Sequence, residues 1–513
     1  MNRFTALARR MAVLPLLALA PIAAFSCDQI PAGQAIWVRL SAPVSSYTAK
    51  PGDVVTGELT EAIKCDNDTD YPVGTRVSGV VHSVRKVGWG FVHETAGLTI
   101  DFNELKPAGT PPVHFSTAVM EVENAREQVT SKGMIQGILS SDTPEGRINS
   151  RLIHLPTWNP YSDLGLIVYK ATFPIFPEPE IYLPAGTDIR LKLEKAMIAP
   201  APVPQPVVDD DAYAADDFEW QEFSHAIPTR STTTTQASAD LINLAIVGSR
   251  EQVVTAFHDA GWVNSDTFTR HAFMRDFYAF LNDSGYPQEP MRPFLLNGNP
   301  ADMKWQKSLN SYARRDHLRM WEWTDPTTGK TAWLSASTHD TGAALSLKYR
   351  QFVHHISPDI DEERSKVIRD LTAAGCVQSV HMIARPGVPT MTQSYNGDPV
   401  RTDGSLAVVE LKNCQSVTPE LAQISTQQNY KPGNKAFRYA RRQILTFRSD
   451  IWRANVIYGF YDLCHMSYTA LKHRNSVDSY EQAKTANPAR DVSSSASVQV
   501  ATPVGSAIGP GSH

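Results

Sequence analysis

The sequence predicts an α+β multidomain protein: a β-rich N-terminal domain of barrel or sandwich type, then a mixed α+β domain with a helical tail. Three observations carry this prediction. The chain has 513 residues, which is too many for a single hydrophobic core. Residues 27–197 contain repeated turn-and-strand units, whereas residues 241–414 mix strand-like runs with amphipathic helical patterns.

The composition is that of an ordinary globular protein, with 42% hydrophobic and 20% charged residues. The formal net charge of −5 provides no general positive field, so we expect no nucleic-acid partner.

The N-terminus has the features of a signal peptide over residues 1–26. Three arginines among the first ten residues precede a short apolar run, and Ala24 and Ser26 are small residues at a cleavage site. The apolar run is too short to span a membrane. We therefore expect export to the periplasm or cell envelope. Cys27 follows directly, and residues 24–27 loosely resemble a bacterial lipobox despite Phe25, so lipid attachment at Cys27 is an alternative to plain cleavage.

The β-rich domain is predicted over residues 27–197. A Pro-x-Gly turn precedes a strand-like run three times, at residues 31–33, 72–74 and 184–186. Proline fixes φ at the first turn position and glycine permits positive φ, so each turn can launch a strand. The irregular spacing of the units favours a small barrel or sandwich over a solenoid.

Residues 198–240 are predicted to be a disordered linker, because they are rich in proline, aspartate and threonine. Residues 415–475 are predicted to form a helical extension, and residues 476–513 a disordered tail. Within the extension, several arginines lie on one side of a predicted amphipathic helix over residues 434–472. Such a helix either docks on its own protein or contacts an anionic membrane.

The C-terminal domain, residues 241–414, opens with a buried strand and a helix. Ser249 and Gln252 have the spacing of a capping box, and Gly261 ends the helical pattern. Strands follow at residues 315–323, 331–339 and 345–354, then a helix at 358–374. Cys376 and Cys414 both lie in strand-like runs, and a disulfide between them is conceivable in an oxidising compartment. The absence of any CxxC pair excludes a zinc ribbon.

Five blocks in this region resemble the LssY-like C-terminal domain, a bacterial family. The blocks are residues 243–251, 298–307 (with GNPAD at 298–302), 315–321 (RDHLRMW), 338–342 and 354–364. Residues 84–88 and 123–127 more weakly resemble the N-terminal part that accompanies this domain in some secreted bacterial proteins. The resemblance implies a location and an architecture but no reaction.

One predicted sheet face has the chemistry of an anion site. If a turn at residues 325–329 places His317 opposite Ser337, alternation gathers two arginines, two histidines and two hydroxyls on one face. Arginine binds phosphate or carboxylate in a bidentate manner, and imidazole can shuttle a proton. The alternative is a solvated face paired with acids elsewhere. The candidate residues are Arg315, His317, Arg319, Ser335, Ser337 and His339.

A second candidate is a divalent-metal site at His354, His355, Asp359 and Asp361, whose side chains are of types that bind zinc or harder ions. His339 is left out, because a tight turn at residues 340–342 would place it roughly 35 Å from His354 along the strands. The acids also have a simpler explanation, since they fall in the first turn of a helix and complement its dipole. We predict no other cofactor.

The sequence thus supports two hypotheses. The first is an exported envelope protein that binds a partner protein or an anionic small molecule without catalysis. The second is a hydrolase of phosphate-containing substrates, in which His317 or His339 is the acid/base and Arg315 and Arg319 hold the anion.

Overall fold

The computed structural model describes residues 29–198 without 66–67, 110, 145 and 148–176; residues 218–414 without 326–328, 330 and 347–350; and 436–445 without 442, together with Cys464 and Tyr468. Residues 1–449 form one compact unit, and residues 450–513 belong to a second. The predicted signal peptide, Cys27 and the tail at 476–513 lie outside the described residues. No described helix is both long enough and apolar enough to cross a membrane.

The described part of the N-terminal domain consists mainly of strands, with a 3-10 helix at Ser140–Asp142 and helical positions at Pro144, Gly146 and Arg147. The strands are β1 (Gln29–Ile30), β2 (Ala35–Leu40), β3 (Val44–Ser45), β4 (Val54–Leu59), β5 (Ile63–Cys65), β6 (Asp68–Tyr71), β7 (Arg76–Arg85), β8 (Gly97–Lys106), β9 (Val113–His114), β10 (Thr117–Val122), β11 (Gln128–Val129), β12 (Ile135–Gln136), β13 (Tyr182–Leu183), β14 (Asp188–Leu193) and β15 (Met197–Ile198).

Most of these strands form one antiparallel, nearly closed barrel-like sheet in the order β10-β14-β2-β4-β7-β8-β12-β11, with β9 beside β8. Alternate side chains such as Ile36, Val38 and Leu40 fill its interior. The three glycines of the Pro-x-Gly turns all have positive φ, between 83° and 94°, and each turn precedes β2, β7 or β14. The predicted β-rich class is confirmed.

The described residues of the C-terminal domain include four helices, α1 (Phe218–Ala226), α2 (Arg250–Asp259), α3 (Arg270–Asn282) and α4 (Ile360–Ala373). Its strands are β16 (Arg230–Thr233), β17 (Ser238–Leu241), β18 (Leu244–Val247), β19 (Val263–Asn264), β20 (Phe294–Leu296), β21 (Asn299–Pro300), β22 (Met303–Lys307), β23 (Arg315–Thr324), β24 (Thr331–Ser346), β25 (Gln351–Ile356), β26 (Val377–Ala384), β27 (Met391–Gln393), β28 (Pro399–Arg401) and β29 (Ser405–Leu411).

The main sheet of this domain has the order β19-β22-β23-β24-β18-β29-β26, with β25 paired to β24. Only the β18–β29 pairing is parallel among the described pairs of this sheet. Helices α2 and α4 pack on one face, where Val253, Phe257, Val367 and Leu371 join the core. Helix α1 covers the other face through Trp220 and neighbouring residues. The mixed α+β architecture is confirmed.

The helix ends follow the local sequence. Ser249 and Gln252 form the capping box of α2 as predicted, and Asp359 caps α4 by accepting hydrogen bonds from the amides of residues 361 and 362. Gly375 follows α4 with a φ of 71°, a conformation that glycine adopts without strain.

The linker prediction is wrong for residues 218–240, which form α1, β16 and most of β17. Their apolar residues are few but well placed: Trp220 and Phe223 are buried in the C-terminal core beside Ala239. The threonine run covers the end of β16 and the turn to β17. Its first two residues lie in the strand, which β-branched side chains favour. Residues 199–217 lie outside the described part of the chain.

Candidate functional site

The candidate anion face is divided by the register of the sheet. Asp316 on β23 lies opposite His339 on β24, and Arg319 lies opposite Ala336. This register differs by one residue from the predicted one, and such a slip moves every side chain of one strand to the other face. Arg315, His317 and Arg319 therefore share one face, whereas Ser335, Ser337 and His339 belong to the other. The predicted single face is wrong.

The cations on the first face are buried and already paired. Arg315 donates to Asp340 at 2.7 Å and lies 2.9 Å from Glu289, while Arg319 Nη1 is 3.0 Å from Asp240. Burial, against the attraction of Asp340, lowers the pKa of His317 to about 3. This face is consequently a neutralised ion network and not an open receptor for anions.

The predicted metal group is also dispersed. His354 Nε2 lies 2.9 Å from Glu289, but His355 Nδ1 is bonded to Asp398 at 2.8 Å. Asp359 is the N-cap of α4, and Asp361 accepts from the hydroxyl of Thr402 and the backbone amide of residue 403. The four side chains thus have four separate sets of partners. His354 and His355 diverge because adjacent strand residues face opposite ways.

The turn expected at residues 340–342 is absent, and β24 continues through it to Ser346. A register irregularity between Asp340 and Gly342 replaces the turn. As a result β25 runs back beside β24 and places Ala343 opposite His354. The 35 Å separation between His339 and His354 inferred from that turn is therefore wrong.

A further concentration of buried charge lies between the two domains. Arg39 on β2 forms two hydrogen bonds with Asp188 on β14, at 2.7 and 2.8 Å, and a third with Asp370 on α4 at 2.8 Å. Lys307 lies 3.1 Å from Asp188 and 3.0 Å from Asp370. Lys366 lies 2.6 Å from Asp370 and 3.3 Å from Asp188. We call these five residues the interdomain cluster.

The interdomain cluster is extended by Glu123, whose Oε2 is 3.1 Å from Lys366. Burial raises the pKa of Glu123 to about 7, against the attraction of Lys366. Burial alone would also raise the pKa of Asp370, but Lys307, Lys366 and Arg39 lower it. Asp370 has no exposed surface and also accepts a hydrogen bond from the indole of Trp262 at 3.0 Å. Helix α4 is therefore held to the N-terminal domain by charge.

A second buried group adjoins the interdomain cluster and contains Asp316, His339 and Glu363. His339 Nδ1 lies 2.7 Å from Asp316 Oδ1, and Asn124 of the N-terminal domain donates to Asp316 Oδ2 at 2.7 Å. Glu363 comes from α4, and ligand-type atoms of the three side chains all lie within 4.8 Å of one another. Burial, together with the charge of Asp316, raises the pKa of Glu363 well above its usual value, although Lys366 opposes this.

A cavity of about 480 Å³ opens between the domains. The N-terminal domain contributes polar groups to its wall, among them Arg126, Gln128 and Gln136. The C-terminal domain contributes the rings of Phe280 and Tyr312. The described lining residues are Thr95, Arg126, Gln128, Gln136, Gly137, Ile138, Leu139, Asp142, Thr143, Pro144, Phe280, Asp283, Tyr312, Ala313 and Ala343.

Comparison with known proteins places the second domain in a family. Residues 224–406 match the family model described as LssY C-terminus. This part of the chain is similar to the LssY C-terminus, and we use that name for the domain. The match confirms the resemblance and begins inside the stretch expected to be a linker. No curated protein matches the chain. One solved structure, ComB10 of the Com type IV secretion system of Helicobacter pylori, is 12% identical, with 34% of this chain and 93% of that chain covered and a TM-score of 0.20.

Two cysteines close the LssY C-terminal domain. Cys376 and Cys414 are joined by a disulfide, the pairing that the sequence left open. The bond ties the start of β26 to the end of β29. It also occupies both sulfurs, so neither is a thiolate available to a metal ion.

The basic helix predicted at 434–472 is described only in part. Its described positions between 436 and 445 are helical, and Arg441, expected on an exposed basic side, is 1% exposed. Arg441 donates to the carbonyl of Gly88 at 2.6 Å and is paired with Glu178 and Glu180 of the N-terminal domain. The ring of Phe437 packs on Trp89. This segment docks on its own protein, so at Arg441 the membrane-facing alternative is wrong.

Sequence reasoning missed the residues that join the LssY C-terminal domain to the N-terminal domain. Arg39 and Asp370 are 331 residues apart, so no local spacing links them. One signal was present: Lys366 and Asp370 are four residues apart on α4 and therefore share a helix face. Arg39, inside the apolar run of β2, was a second.

Proposed function

We propose that the protein is exported to the cell envelope, where it binds a small polar molecule between its two domains without catalysing a reaction. The observation that carries the proposal is the cavity of about 480 Å³ whose wall comes from both domains. Its volume lies within the range of about 300–1,000 Å³ that is usual for small-molecule sites, and such sites favour domain boundaries.

The wall suits a ligand with an apolar body and several hydrogen-bonding groups. Phe280 and Tyr312 offer ring surface, while Gln128 and Gln136 offer amide donors and acceptors. Ile138 and neighbouring apolar residues exclude water from part of the surface. A mixed wall of this kind fixes a ligand's orientation by a few polar contacts and gains affinity from apolar burial.

The charge of the wall argues against the strongly anionic ligand expected from the sequence. One guanidinium, that of Arg126, is opposed by the carboxylates of Asp142 and Asp283. Arg126 already donates to the carbonyl of residue 178 at 2.5 Å and lies 3.4 Å from Glu127. A neutral or zwitterionic molecule meets this wall with the smallest cost of charge desolvation.

The hydrolase alternative has lost its structural basis. It used His317 or His339 together with Arg315 and Arg319. His339 lies on the opposite side of the sheet from the arginines, and both arginines on the side of His317 are buried and paired with carboxylates. We therefore do not propose it.

The binding proposal is tested by filling the cavity. Ala343 lines the cavity, whereas Ala344 is exposed and by strand alternation faces the other way. A panel of amino acids, sugars and nucleosides is screened by thermal melting against the full chain, Ala343→Trp and Ala344→Trp. We expect at least one compound class to raise the melting temperature of the wild type and of Ala344→Trp but not of Ala343→Trp. Equal shifts in all three proteins, or none in any, would contradict the proposal.

Export is tested separately, by fractionation of cells and by the intact mass of the mature protein. Cleavage after residue 26 is expected, and a mass increase that Cys27→Ser removes would add lipid attachment. Recovery of the uncleaved chain from the cytoplasm would overturn this part of the proposal.

A further inference from the structure

Three side chains of metal-binding type converge where α4 crosses the central sheet. Asp316 and His339 are directly opposite each other on β23 and β24, and Glu363 projects from the first turn of α4. Their potential ligand atoms, one nitrogen and two carboxylate oxygens, all lie within 4.8 Å of one another. Two ligand atoms of a tetrahedral zinc ion at bond lengths of about 2.0–2.2 Å lie about 3.3–3.6 Å apart. That separation falls within the 4.8 Å limit that encloses the three atoms.

Two buried oxygens beside the group lack hydrogen-bond partners among the described residues. Oε1 of Glu363 has none, although Glu363 is only 3% exposed. The amide oxygen of Asn124 has none either, while the nitrogen of the same amide donates to Asp316. A buried acceptor without a hydrogen-bond partner destabilises the folded state. A cation held between these oxygens would supply the missing partner.

The nearest lysine does not fill this role. The ammonium group of Lys366 lies within 2.6–3.3 Å of three other carboxylates, those of Glu123, Asp188 and Asp370. Its positive charge is therefore shared within the interdomain cluster. Asp316 and Glu363 lie beside the imidazole of His339, and a cation bound by all three side chains would compensate the negative charge of the two carboxylates.

We propose that Asp316, His339 and Glu363 bind one divalent transition-metal ion, of which zinc is the representative. An imidazole with two carboxylates suits zinc and its first-row neighbours, whereas calcium and magnesium prefer ligand sets made of oxygen alone. Three protein ligands leave one coordination position open. The His339 side chain is 25% exposed, so water can reach this group.

The full chain, purified without chelator and then stripped with one, is titrated with Zn²⁺ by calorimetry and with Co²⁺ by visible absorption. We expect one ion per chain. His339→Gln and Glu363→Gln should each weaken binding about 100-fold or more, since loss of a second-shell partner alone costs about 10- to 100-fold. A 100-fold excess of Mg²⁺ should not displace the ion.

The matched control is His355→Gln. This histidine is half exposed and bonded to Asp398, and it should leave metal binding unchanged. Each variant is first checked for a cooperative melting transition, so that a failure to fold is not taken for a loss of ligand. Absence of stoichiometric Zn²⁺ binding by the wild type would overturn the proposal without reference to any variant. Binding that survives both substitutions would place the ion elsewhere and overturn it as well.

Discussion

Replacing Asp370 with asparagine should destabilise the protein strongly with almost no change in shape. The carboxylate is fully buried and accepts from Arg39 at 2.8 Å, Lys307 at 3.0 Å, Lys366 at 2.6 Å and the Trp262 indole at 3.0 Å. Removing one partner of a buried ion pair typically costs about 3–5 kcal/mol, because the remaining charge stays buried without compensation. Asparagine preserves the volume, so no cavity term is added.

The assay is urea unfolding followed by tryptophan fluorescence, with the wild type, Asp370→Asn and Glu61→Gln compared at pH 7. Glu61 is the control because its pairing with Arg369 at 4.0 Å is on the surface of the same interface, with 59% of the glutamate side chain exposed. Its loss should change the free energy of unfolding by no more than about 1 kcal/mol. A loss below about 1 kcal/mol for Asp370→Asn, at an unchanged dependence on urea, would refute the reasoning.

Acid should reveal the same interaction. Because the pKa of Asp370 is lowered in the folded protein, its contribution to stability is complete above the unfolded value of about 3.9 and is lost as pH falls below it. Asp370→Asn should therefore lose less stability than the wild type between pH 5 and pH 2. Parallel losses in the two proteins would contradict this assignment.

Three further predictions concern other parts of the chain. Burial and the charge of Glu289 raise the pKa of Asp276 to about 7, so ionisation of this carboxyl group lowers the stability of the folded protein as pH rises from about 4 to 7. Asp276→Asn should therefore make the melting temperature less dependent on pH over that range. An unchanged slope would count against this assignment. Replacing Cys414 with serine should lower the free energy of unfolding by roughly 2–4 kcal/mol under oxidising conditions, as measured by urea unfolding. After reduction of the disulfide, the variant and the wild type should be equally stable. Arg441→Ala should release the helical segment at 436–445 from the N-terminal domain and make it sensitive to limited proteolysis. If the variant resisted the protease as well as the wild type does, Arg441 would not be what anchors this segment.

Features set by neighbouring residues could be predicted from the sequence. The Ser249–Gln252 capping box and the Pro-x-Gly strand entries depend on contacts within a few residues, and all of them are present. The fold class follows from hydrophobic periodicity, which also needs no knowledge of distant partners.

The site depended on information that local pattern does not contain. The predicted pairing of β23 with β24 was one residue from the observed one, because the loop between Thr324 and Thr331 was taken to be shorter than it is. That single residue places His339 on the opposite face of the sheet from Arg319. The interdomain cluster lay further beyond reach, since its members come from strands and a helix of two domains.

The position of β18 limits when this protein can fold. β18 opens the main sheet of its domain, yet its parallel neighbour β29 is the last strand of that sheet, with Ile246 beside Val409. A newly made chain therefore holds an apolar strand with one bonding edge open until nearly the whole domain has been synthesised. The sheet is completed only late in synthesis, when β29 has been made. A nascent chain that is interrupted before residue 405 is therefore prone to form intermolecular strand pairs with other chains.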